Sequence, residues 1–589
     1  MSDKLGNIIE ITDKVIIIHL DIDISSQANL INLHVILEDT PVKIVGEIKE
    51  ISKNTAKITI VGELVGDTFL PGSSKKPSFR STVRMIRMDE LTIILGEQQI
   101  KDNQQIYFGL STIYKNYRIN VNTNKFFSNH FAIIGNTGSG KSFTVARILQ
   151  NIFNNSSYVP INSNIFIFDA YGEYTQALSK IGENNPLLRY HAYTTDVEDQ
   201  SLDLLKIPLW LLGVDDIAQL LSADRPSQLP IIEKALRLVR VLRNDSPDIN
   251  KQKNDIIARA LLDILLSGQD SGKIRDQVTA VLTNFYTKEL NLNSEIKEPG
   301  YTRTLKQCLF TDKTGKMQEV ELVVNFISKF VVDESIPLTI SDDTFFTLTD
   351  LENALDFALI SEGILKSDRV FDYANILSVR LHTLANSDYA KFFEYDKLID
   401  RETYIRKLMT SNDGKKSQII NFNINHVDDR MAKAIVKIIS RILFTYNVEK
   451  DDRASIPFHI IIEEAHRYVQ NDHDVEILGY NIFDRITKEG RKYGVILGLI
   501  TQRPSELSET ALSQCSNFII LRILHPKDLD FIRNMISNCS VEMSESLKNL
   551  QPGTAIAFGT AFQIPISLHF EKPNPEPLSS NANLIKLWY

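Results

Sequence analysis

Residues 131–142 read FAIIGNTGSGKS, a short apolar run that leads into the pattern G-x-x-x-x-G-K-[ST]. The run Phe131–Ile134 predicts a buried strand, and the apolar spacing of Phe143–Phe153 predicts a helix. Glycines between a strand and a helix let backbone N–H groups surround phosphate oxygens, and the helix N-terminus adds partial positive charge. The stretch therefore predicts a nucleotide-phosphate site at the start of an α/β unit.

The predicted nucleotide site comprises the whole loop. Lys141 is expected to reach the β- and γ-phosphates of ATP, and the Ser142 hydroxyl is expected to bind Mg²⁺. We therefore expect ATP and Mg²⁺ as the cofactors. The predicted ATP-binding residues are Gly135, Asn136, Thr137, Gly138, Ser139, Gly140, Lys141 and Ser142.

Two neighbouring carboxylates follow a second apolar strand. The segment Phe458–His466 reads FHIIIEEAH, so Glu463 and Glu464 stand where the strand ends. Glu463 is expected to hold Mg²⁺, and Glu464 is expected to orient and polarise the attacking water as general base. Many phosphate-loop enzymes have Asp at the first position. The extra methylene of Glu463 leaves direct and water-mediated coordination both open.

A third strand and the segment before it supply two more candidates. The run Gly494–Ile500 leads into TQRP, which places Gln502 where it can sense the γ-phosphate beside the acidic pair. Arg491, in the preceding sequence EGRK, is the predicted arginine finger that reaches ATP on a neighbouring subunit. Lys492 and Arg503 are less favoured for that role. Taken alone, Arg491 fits a solvated charge at a helix end equally well.

Composition bounds the class of protein. The 589 residues are 43% apolar and 24% charged, which is typical of a soluble globular protein, and no apolar stretch approaches the length of a membrane span. The start of the chain has no signal-peptide pattern. With only Cys308, Cys515 and Cys539 as cysteines, these features predict a cytoplasmic protein. The net charge of −9 argues against a protein coated in nucleic acid but does not exclude a basic pore.

The order of these patterns predicts an α/β fold in five segments. Residues 1–100 contain short β-branched runs and predict a small β-barrel. Residues 101–195 and 396–570 alternate strands with helices and predict the two parts of the nucleotide-binding core. Residues 196–395 show helical spacing and predict an insertion. Residues 571–589 predict a polar, Pro-rich C-terminal arm. The predicted barrel strands are Val15–Leu20, Val42–Ile48, Ala56–Val61 and Leu91–Leu95.

The arm ends in apolar and aromatic residues, which is unusual for a tail. Termini fray by default, but exposed Trp and Tyr would be wasted apolar surface. The hypothesis is an anchor that docks on a neighbouring subunit. The apolar residues of this anchor are Leu584, Ile585, Leu587, Trp588 and Tyr589.

Four motifs together resemble those of the HerA family of hexameric DNA translocases, in the broader FtsK/HerA group of P-loop NTPases. The phosphate loop alone is not specific to that family, but the series in this order, with a long helical segment before the third motif, is. The resemblance extends over most of the chain. It implies a RecA-like P-loop core with a helical insertion and an N-terminal β-barrel like that of ATP-synthase subunits. The motifs are His130–Ser142 (HFAIIGNTGSGKS), Phe168–Tyr174 (FDAYGEY), Ile462–His466 (IEEAH) and Glu489–Pro504 (EGRKYGVILGLITQRP).

The resemblance implies a homohexameric ring that hydrolyses ATP between subunits and draws double-stranded DNA through its pore. Asp169 and Glu173 match the family's D-x-x-G-E-Y, but the sequence gives them no role. Arg467–Asp474, after the acidic pair, is a candidate translocation loop. The residues that inherit family roles by motif position are Lys141, Ser142, Glu463, Glu464, Gln502 and Arg491.

HerA-like rings act with a second protein. The resemblance implies a NurA-like nuclease in DNA end processing, or a sirtuin-like NAD-consuming effector or nuclease in antiviral (anti-phage) defence. Nothing in this chain resembles a nuclease or NADase site, so the effector is expected to be a separate chain. The divergent sequence, its Ile/Asn/Lys-rich composition and the long insertion favour a defence homologue.

Two other functions stay open. One is an ATP-dependent assembly scaffold that activates a partner effector with little DNA translocation, which the intact Glu463–Glu464 pair disfavours. The other is an AAA-type protein-remodelling ATPase. Those enzymes usually carry a small helical domain after the core, whereas the region after Pro504 reads partly as strands.

Overall fold

The computed structural model describes most of the chain. The described residues are 4–579 and 584–588, apart from 14, 23–28, 40–41, 74, 101–102, 155–158, 184, 244–246, 313–315, 333–343, 364–367 and 536–540. Cys308 and Cys515 are buried, as expected of small core residues, and Cys539 lies outside the described residues.

The N-terminal region closes into a six-stranded antiparallel barrel. Going round it, the order is β2-β1-β7-β3-β4-β5, and β5 pairs back with β2, while β6 extends from β5. Its interior is apolar and sealed from solvent, with Ile18, Val35, Ile48 and Ile58 fully buried. The strands are β1 (Lys4–Ile11), β2 (Ile16–Leu20), β3 (His34–Asp39), β4 (Val42–Ser52), β5 (Thr55–Val65), β6 (Thr68–Pro71) and β7 (Thr82–Met85).

The prediction that Leu91–Leu95 forms a barrel strand was wrong. The segment belongs to helix α1, Met88–Leu95. Two acidic residues lie in its first turn, where the helix dipole favours them, and Glu90 accepts a hydrogen bond from the Arg87 backbone N–H at 3.1 Å. Leu91, Ile94 and Leu95 then bury one helical face, so the apolar run packs with helical rather than alternating spacing.

A twelve-stranded sheet forms the centre of the molecule. Its order is β13-β12-β16-β11-β17-β18-β10-β19-β20-β21-β8-β9. The eight strands from β13 to β19 are parallel, and the last four are antiparallel. The strands are β8 (Gln105–Ser111), β9 (Arg118–Asn122), β10 (Phe131–Ile134), β11 (Ile165–Asp169), β12 (Tyr190–Thr194), β13 (Asp203–Leu204), β16 (Ile419–Asn423), β17 (Phe458–Ile462), β18 (Val495–Thr501), β19 (Asn517–Ile520), β20 (Thr554–Gly559) and β21 (Ile566–His569).

Helices cover this sheet, as buried parallel strands require. Together with the barrel, this arrangement confirms the predicted α/β fold class with a P-loop core. The helices of the core are α2 (Thr123–Phe127), α3 (Lys141–Phe153), α4 (Tyr174–Leu178), α13 (Arg401–Leu408), α14 (Asp429–Val448), α15 (Asp474–Leu478), α16 (Ile482–Tyr493), α17 (Glu509–Ser513), α18 (Pro526–Met535) and α19 (Val541–Leu547).

The region between β13 and α13 is mainly helical. It shares one apolar cluster with the sheet, in which Trp210 and Leu261 belong to the same core as Phe166 and Phe422. The main sheet extends past residue 195 through β13. The elements are α5 (Val214–Leu220), α6 (Leu229–Arg243), α7 (Pro247–Leu265), α8 (Ser271–Asn284), hairpin β14 (Glu295–Glu298) and β15 (Tyr301–Thr304), α9 (Leu305–Cys308), α10 (Val320–Ser328), α11 (Leu348–Gly363) and α12 (Asp368–Ala385).

The C-terminal arm first crosses helix α3 and then ends in the short helix α20, Leu584–Trp588. Leu584, Ile585 and Trp588 are all exposed, with Trp588 at 72%. The side chain of Leu587, and Tyr589, fall outside the described part. Within the described ranges, no helix combines the length and apolar character needed to cross a membrane.

Candidate ATP-binding site

The strand order brings the predicted site residues to one edge of the sheet. β11, β17, β18 and β10 are parallel neighbours, so their carboxyl ends lie side by side. The phosphate loop follows β10, Asp169 ends β11, the acidic pair follows β17, and Gln502 follows β18. Ligands of open α/β sheets bind at this edge.

Three glycines shape the phosphate loop. Gly138 and Gly140 have φ angles of 74° and 102°, in the left-handed region that favours glycine. A Cβ on Gly135 would lie 2.5 Å from the Ser139 Oγ and 2.8 Å from the Leu521 Cβ. Helix α3 begins at Lys141, directly after Gly140. The loop therefore has the tight turn and helix N-terminus that phosphate binding uses.

Lys141 lies at the base of this site beside three carboxylates. The side chain is buried, and burial lowers its pKa, while Glu464, Glu463 and Glu173 oppose that effect. An ammonium held next to acids in a buried site can contact phosphate oxygens without a large solvent shell.

Glu463 is a buried acid whose negative charge is poorly compensated. Ser142 Oγ donates to its Oε1 at 3.3 Å, and its Oε2 has no hydrogen-bond partner among the described residues. Burial, followed by the charges of Asp169 and Glu173, raises its pKa well above the usual range. A divalent cation is the group that would favour the ionised form here.

The chemistry of these residues fits Mg²⁺, which Ser142 and Glu463 would hold. The described residues contain no cluster of three or more His, Cys, Asp or Glu side chains arranged around a single metal position. In nucleotide enzymes, Mg²⁺ usually takes one or two protein oxygens and fills its shell with phosphates and water.

Glu464 adopts a strained backbone. Its φ of 46° lies in the left-handed region, which costs a residue with a Cβ about 1 kcal/mol. Its side chain is buried, and burial raises its pKa against the opposing charges of Lys141 and Arg467. Its Oε2 lies 3.3 Å from His466 Nδ1 and has no hydrogen-bond donor in the described part of the chain. The strained backbone fixes the direction of the Glu464 side chain, and its Oε2 is free to accept a hydrogen bond from a water molecule. Both features suit a residue that must hold a water molecule.

Gln502 contacts the phosphate loop directly. Its Oε1 accepts a hydrogen bond from Thr137 Oγ1 at 2.5 Å. The side chain thus links the strand beside the acidic pair to the loop.

Comparison with known proteins finds similarity to DNA helicases. A family model for the central domain of the helicase HerA matches residues 106–331. The DNA double-strand break repair helicase HerA of Pyrococcus furiosus is 23% identical, over 88% of this chain and 77% of its own length. That of Sulfolobus acidocaldarius is 24% identical, over 93% and 85%. Over most of its length, this chain is similar to the HerA helicases.

Solved structures with a similar course of the chain include VirB4 and the plasmid coupling protein TrwB. VirB4 of Thermoanaerobacter pseudethanolicus aligns with a TM-score of 0.40 and 14% identity, over 83% of this chain and all of that one. The plasmid coupling protein TrwB in complex with ADP and Mg²⁺ aligns with a TM-score of 0.39 and 13% identity, over 85% and 94%.

Asp169 has a structural role that the sequence did not reveal. It is fully buried, and its carboxylate accepts the backbone N–H groups of Glu173 at 3.0 Å and Tyr174 at 2.9 Å. Asn421, on the next strand, donates to it at 3.2 Å. Asp169 thereby folds the D-x-x-G-E-Y turn and brings Glu173 beside Lys141 and Glu463. The sequence signal that could have indicated this role is the position of Asp169, four and five residues before Glu173 and Tyr174, whose N–H groups lie at the start of α4.

The structure does not bring Arg491 to this edge. Helix α16 carries it to the amino end of β18, opposite the phosphate loop, and its charge helps to lower the pKa of the buried His130. Arg491 therefore cannot serve the site of its own chain. Arg467 and Arg503 are instead close enough to act on Glu464 electrostatically.

The predicted translocation loop Arg467–Asp474 is tied to the core at its far end. The side chain of Lys437, on α14, is only 2% exposed. Its Nζ lies 2.6 Å from Asp472 Oδ2 and also pairs with Asp474. Lys433 binds Asp472 at 2.9 Å. These two acids face the protein, so a role of this loop in translocation stays a prediction for its other residues.

Proposed function

We propose that this chain is an ATP-driven DNA translocase or helicase that works as a homohexamer. The observation that carries the proposal is the division of the catalytic groups between two edges of the sheet. The phosphate loop, Glu463, Glu464 and Gln502 lie at the carboxyl edge, whereas Arg491 lies at the amino edge. Such a chain completes its site only with a second copy.

In this proposal each residue has one task in ATP hydrolysis. Lys141 and the loop N–H groups hold the β- and γ-phosphates, and Glu464 orients the attacking water and takes its proton. Gln502 reports the presence of the γ-phosphate through Thr137. Mg²⁺, held by Ser142 and Glu463, would neutralise charge on the phosphates.

The division between edges can be tested with mixed rings. Lys141→Ala subunits cannot hydrolyse ATP but still supply Arg491, and Arg491→Ala subunits keep an intact phosphate loop. Mixing these two inactive proteins should restore ATP hydrolysis. The matched control mixes Arg491→Ala with the double variant Lys141→Ala/Arg491→Ala and should stay inactive. Equal ATPase rates in the two mixtures would contradict a role of Arg491 at the ATP site of a neighbouring subunit.

DNA as the cargo is supported by the relatives, which are named as DNA double-strand break repair helicases. Contacts inside a ring would be mainly to phosphates and independent of sequence. The test is the steady-state ATPase rate with and without linear duplex DNA, with Lys141→Ala as the blank. A salt-sensitive rise with DNA supports the motor, and a rate indifferent to DNA contradicts it.

The partner is proposed as a separate NurA-like nuclease or sirtuin-like effector, in DNA end processing or anti-phage defence. The support is the HerA resemblance together with the absence of such a catalytic site from the sequence. If effector activation survives Glu464→Gln, the ring acts as a scaffold; if activation is lost, hydrolysis drives it. The AAA-type alternative is less favoured, because β19, β20 and β21 after Pro504 belong to the main sheet.

The end of the arm is proposed as the anchor between subunits. Leu584, Ile585 and Trp588 expose apolar surface on one short helix. Removal of residues 584–589 should lower the oligomer mass measured by light scattering. An unchanged mass would contradict the anchor.

A further inference from the structure

Residues 571–578 form a strap that crosses helix α3 and ends at the D-x-x-G-E-Y turn beside the ATP site. The strap follows β21, where Phe570 N–H donates to Gly553 O at 2.8 Å and Gly553 N–H donates to Ser139 O in the phosphate loop at 2.9 Å. Its first residue, Glu571, pairs with Arg147 on α3. The strap therefore starts at helix α3, and Gly553 connects the residue before it to the phosphate loop.

The middle of the strap is bound by one buried side chain. Gln150, on α3, is 2% exposed. Its Oε1 accepts the Asn574 N–H at 2.8 Å, and its Nε2 donates to Pro575 O at 2.9 Å. The same Nε2 also donates to Ala177 O at 2.9 Å, on helix α4. Gln150 thus joins the strap to the helix that follows the D-x-x-G-E-Y turn.

The far end of the strap binds the turn itself. Leu578 N–H donates to the carbonyl oxygen of Glu173 at 2.9 Å. The Glu173 side chain reaches into the site, because its charge acts on Lys141, Glu463 and Glu464, and its Oε2 is buried without a hydrogen-bond partner in the described residues. One backbone hydrogen bond thus connects the arm to a third carboxylate of the site.

We propose that the strap is a positioning element that fixes Glu173 for ATP turnover. The inference rests on the proposed ATPase function and adds to it residues outside the four family motifs. Asp169 fixes the turn from inside the sheet, and Leu578 fixes it from the surface. Without the outer contact, Glu173 moves away from Lys141 and Glu463, whereas the hydrogen bond between Gly553 and Ser139 of the phosphate loop remains.

Leu578→Pro is the direct test, with Leu578→Ala as its matched control. Proline removes the N–H donor, alanine keeps it, and the Leu578 side chain is 56% exposed. Loss of a supporting contact of this kind typically costs about tenfold in activity. We expect that loss in kcat for Leu578→Pro, with unchanged affinity for a non-hydrolysable ATP analogue, and no loss for Leu578→Ala. Glu173→Gln should lower kcat about as much as Leu578→Pro does. The double variant Glu173→Gln/Leu578→Pro should have a kcat no lower than either single variant.

A second pair of variants covers the other end of the strap. Glu571→Arg should lower kcat by breaking the pair with Arg147, and Arg147→Glu in the same chain should restore it. This rescue would not follow if the single change merely damaged the fold.

A readout without nucleotide separates this inference from the proposed function. Hydrogen–deuterium exchange of the amides in residues 171–178 should speed up in Leu578→Pro and not in Leu578→Ala. If the wild-type protein hydrolyses no ATP, the proposed function fails and so does the part of the inference that concerns turnover. If it hydrolyses ATP and the two Leu578 variants match in exchange or in kcat, the strap inference alone is overturned.

Discussion

Two buried glutamates, Glu90 beside the barrel and Glu463 in the ATP site, differ in what compensates their charge. Arg84 donates to both carboxylate oxygens of Glu90, at 2.7 and 2.8 Å, and Lys43 adds a bond at 2.9 Å. Burial would raise the pKa of Glu90, but hydrogen bonds from Arg84, Lys43 and the Arg87 N–H outweigh it and lower the pKa to about 2. The chain itself therefore supplies the cations and hydrogen bonds that compensate the negative charge of Glu90.

Glu463 has the opposite surroundings. Its carboxylate has one weak donor, Ser142, and lies among other acids, so its pKa is raised. A buried acid that the chain itself satisfies is a structural element, whereas a buried acid that the chain leaves unsatisfied marks a place for a ligand. The comparison predicts opposite responses to neutralising each residue.

The largest effect is expected on the ATPase rate, from a change at Glu464, the neighbour of Glu463. Glu464→Gln should lower kcat for ATP by about a thousandfold, because the amide cannot accept the proton of the attacking water. ATP binding should remain, since the phosphate loop is untouched. Steady-state ATPase rates and nucleotide-binding assays measure the two quantities. Glu509→Gln, an exposed glutamate in the first turn of α17, is the control and should keep the wild-type rate.

The next effect concerns stability. Glu90→Gln should lower the free energy of unfolding by about 3 kcal/mol, because it removes the buried one of the two acids that pair with the buried Arg84 guanidinium. Denaturant unfolding followed by fluorescence measures the loss. Glu38→Gln changes a more exposed partner of the same arginine and should cost about 1 kcal/mol or less. Equal losses in the two variants would mean that burial does not decide the strength of these pairs.

The contribution of Glu90 should also depend on pH. Its folded pKa of about 2 lies below its ordinary value of 4.5, so the folded state binds the proton less tightly than the unfolded state. The stabilisation is therefore complete above about pH 5 and is lost as the pH falls towards 2. The difference in unfolding free energy between wild type and Glu90→Gln should narrow from pH 6 to pH 3. A constant difference would contradict the assigned pKa.

The smallest effect is expected for the stability of Glu463→Gln. A neutral amide replaces an acid whose ionised form is disfavoured, so the unfolding free energy without nucleotide should change by about 1 kcal/mol or less. Its ATPase activity should nevertheless fall, because a ligand for Mg²⁺ is lost. A destabilisation as large as that of Glu90→Gln would mean that Glu463 has a structural role.

Contiguous motifs made much of the fold and site predictable. The phosphate loop and the acidic strand are each defined within about ten residues, because backbone turns and strand ends are local properties. The wrong prediction for Leu91–Leu95 has a local cause as well. Its β-branched residues favour a strand, but the acidic first turn and the contact of Glu90 with the barrel select a helix.

Other features depend on partners far apart in the chain. Ser142 and Glu463 are 321 residues apart, and Gln150 and Asn574 are 424 residues apart. No spacing rule connects such pairs. The strap and the function of Asp169 in the turn were missing from the sequence interpretation for this reason.

The sequence by itself determined the chemical groups: a phosphate loop, a pair of acids and an amide, each encoded in a short stretch of chain. Only the tertiary structure decided where each group lies. The order of the parallel strands placed Gln502 and the acids at the carboxyl edge and Arg491 at the amino edge. The physical reason is that motifs arise from local backbone geometry, whereas strand order is set by burial and pairing between distant segments.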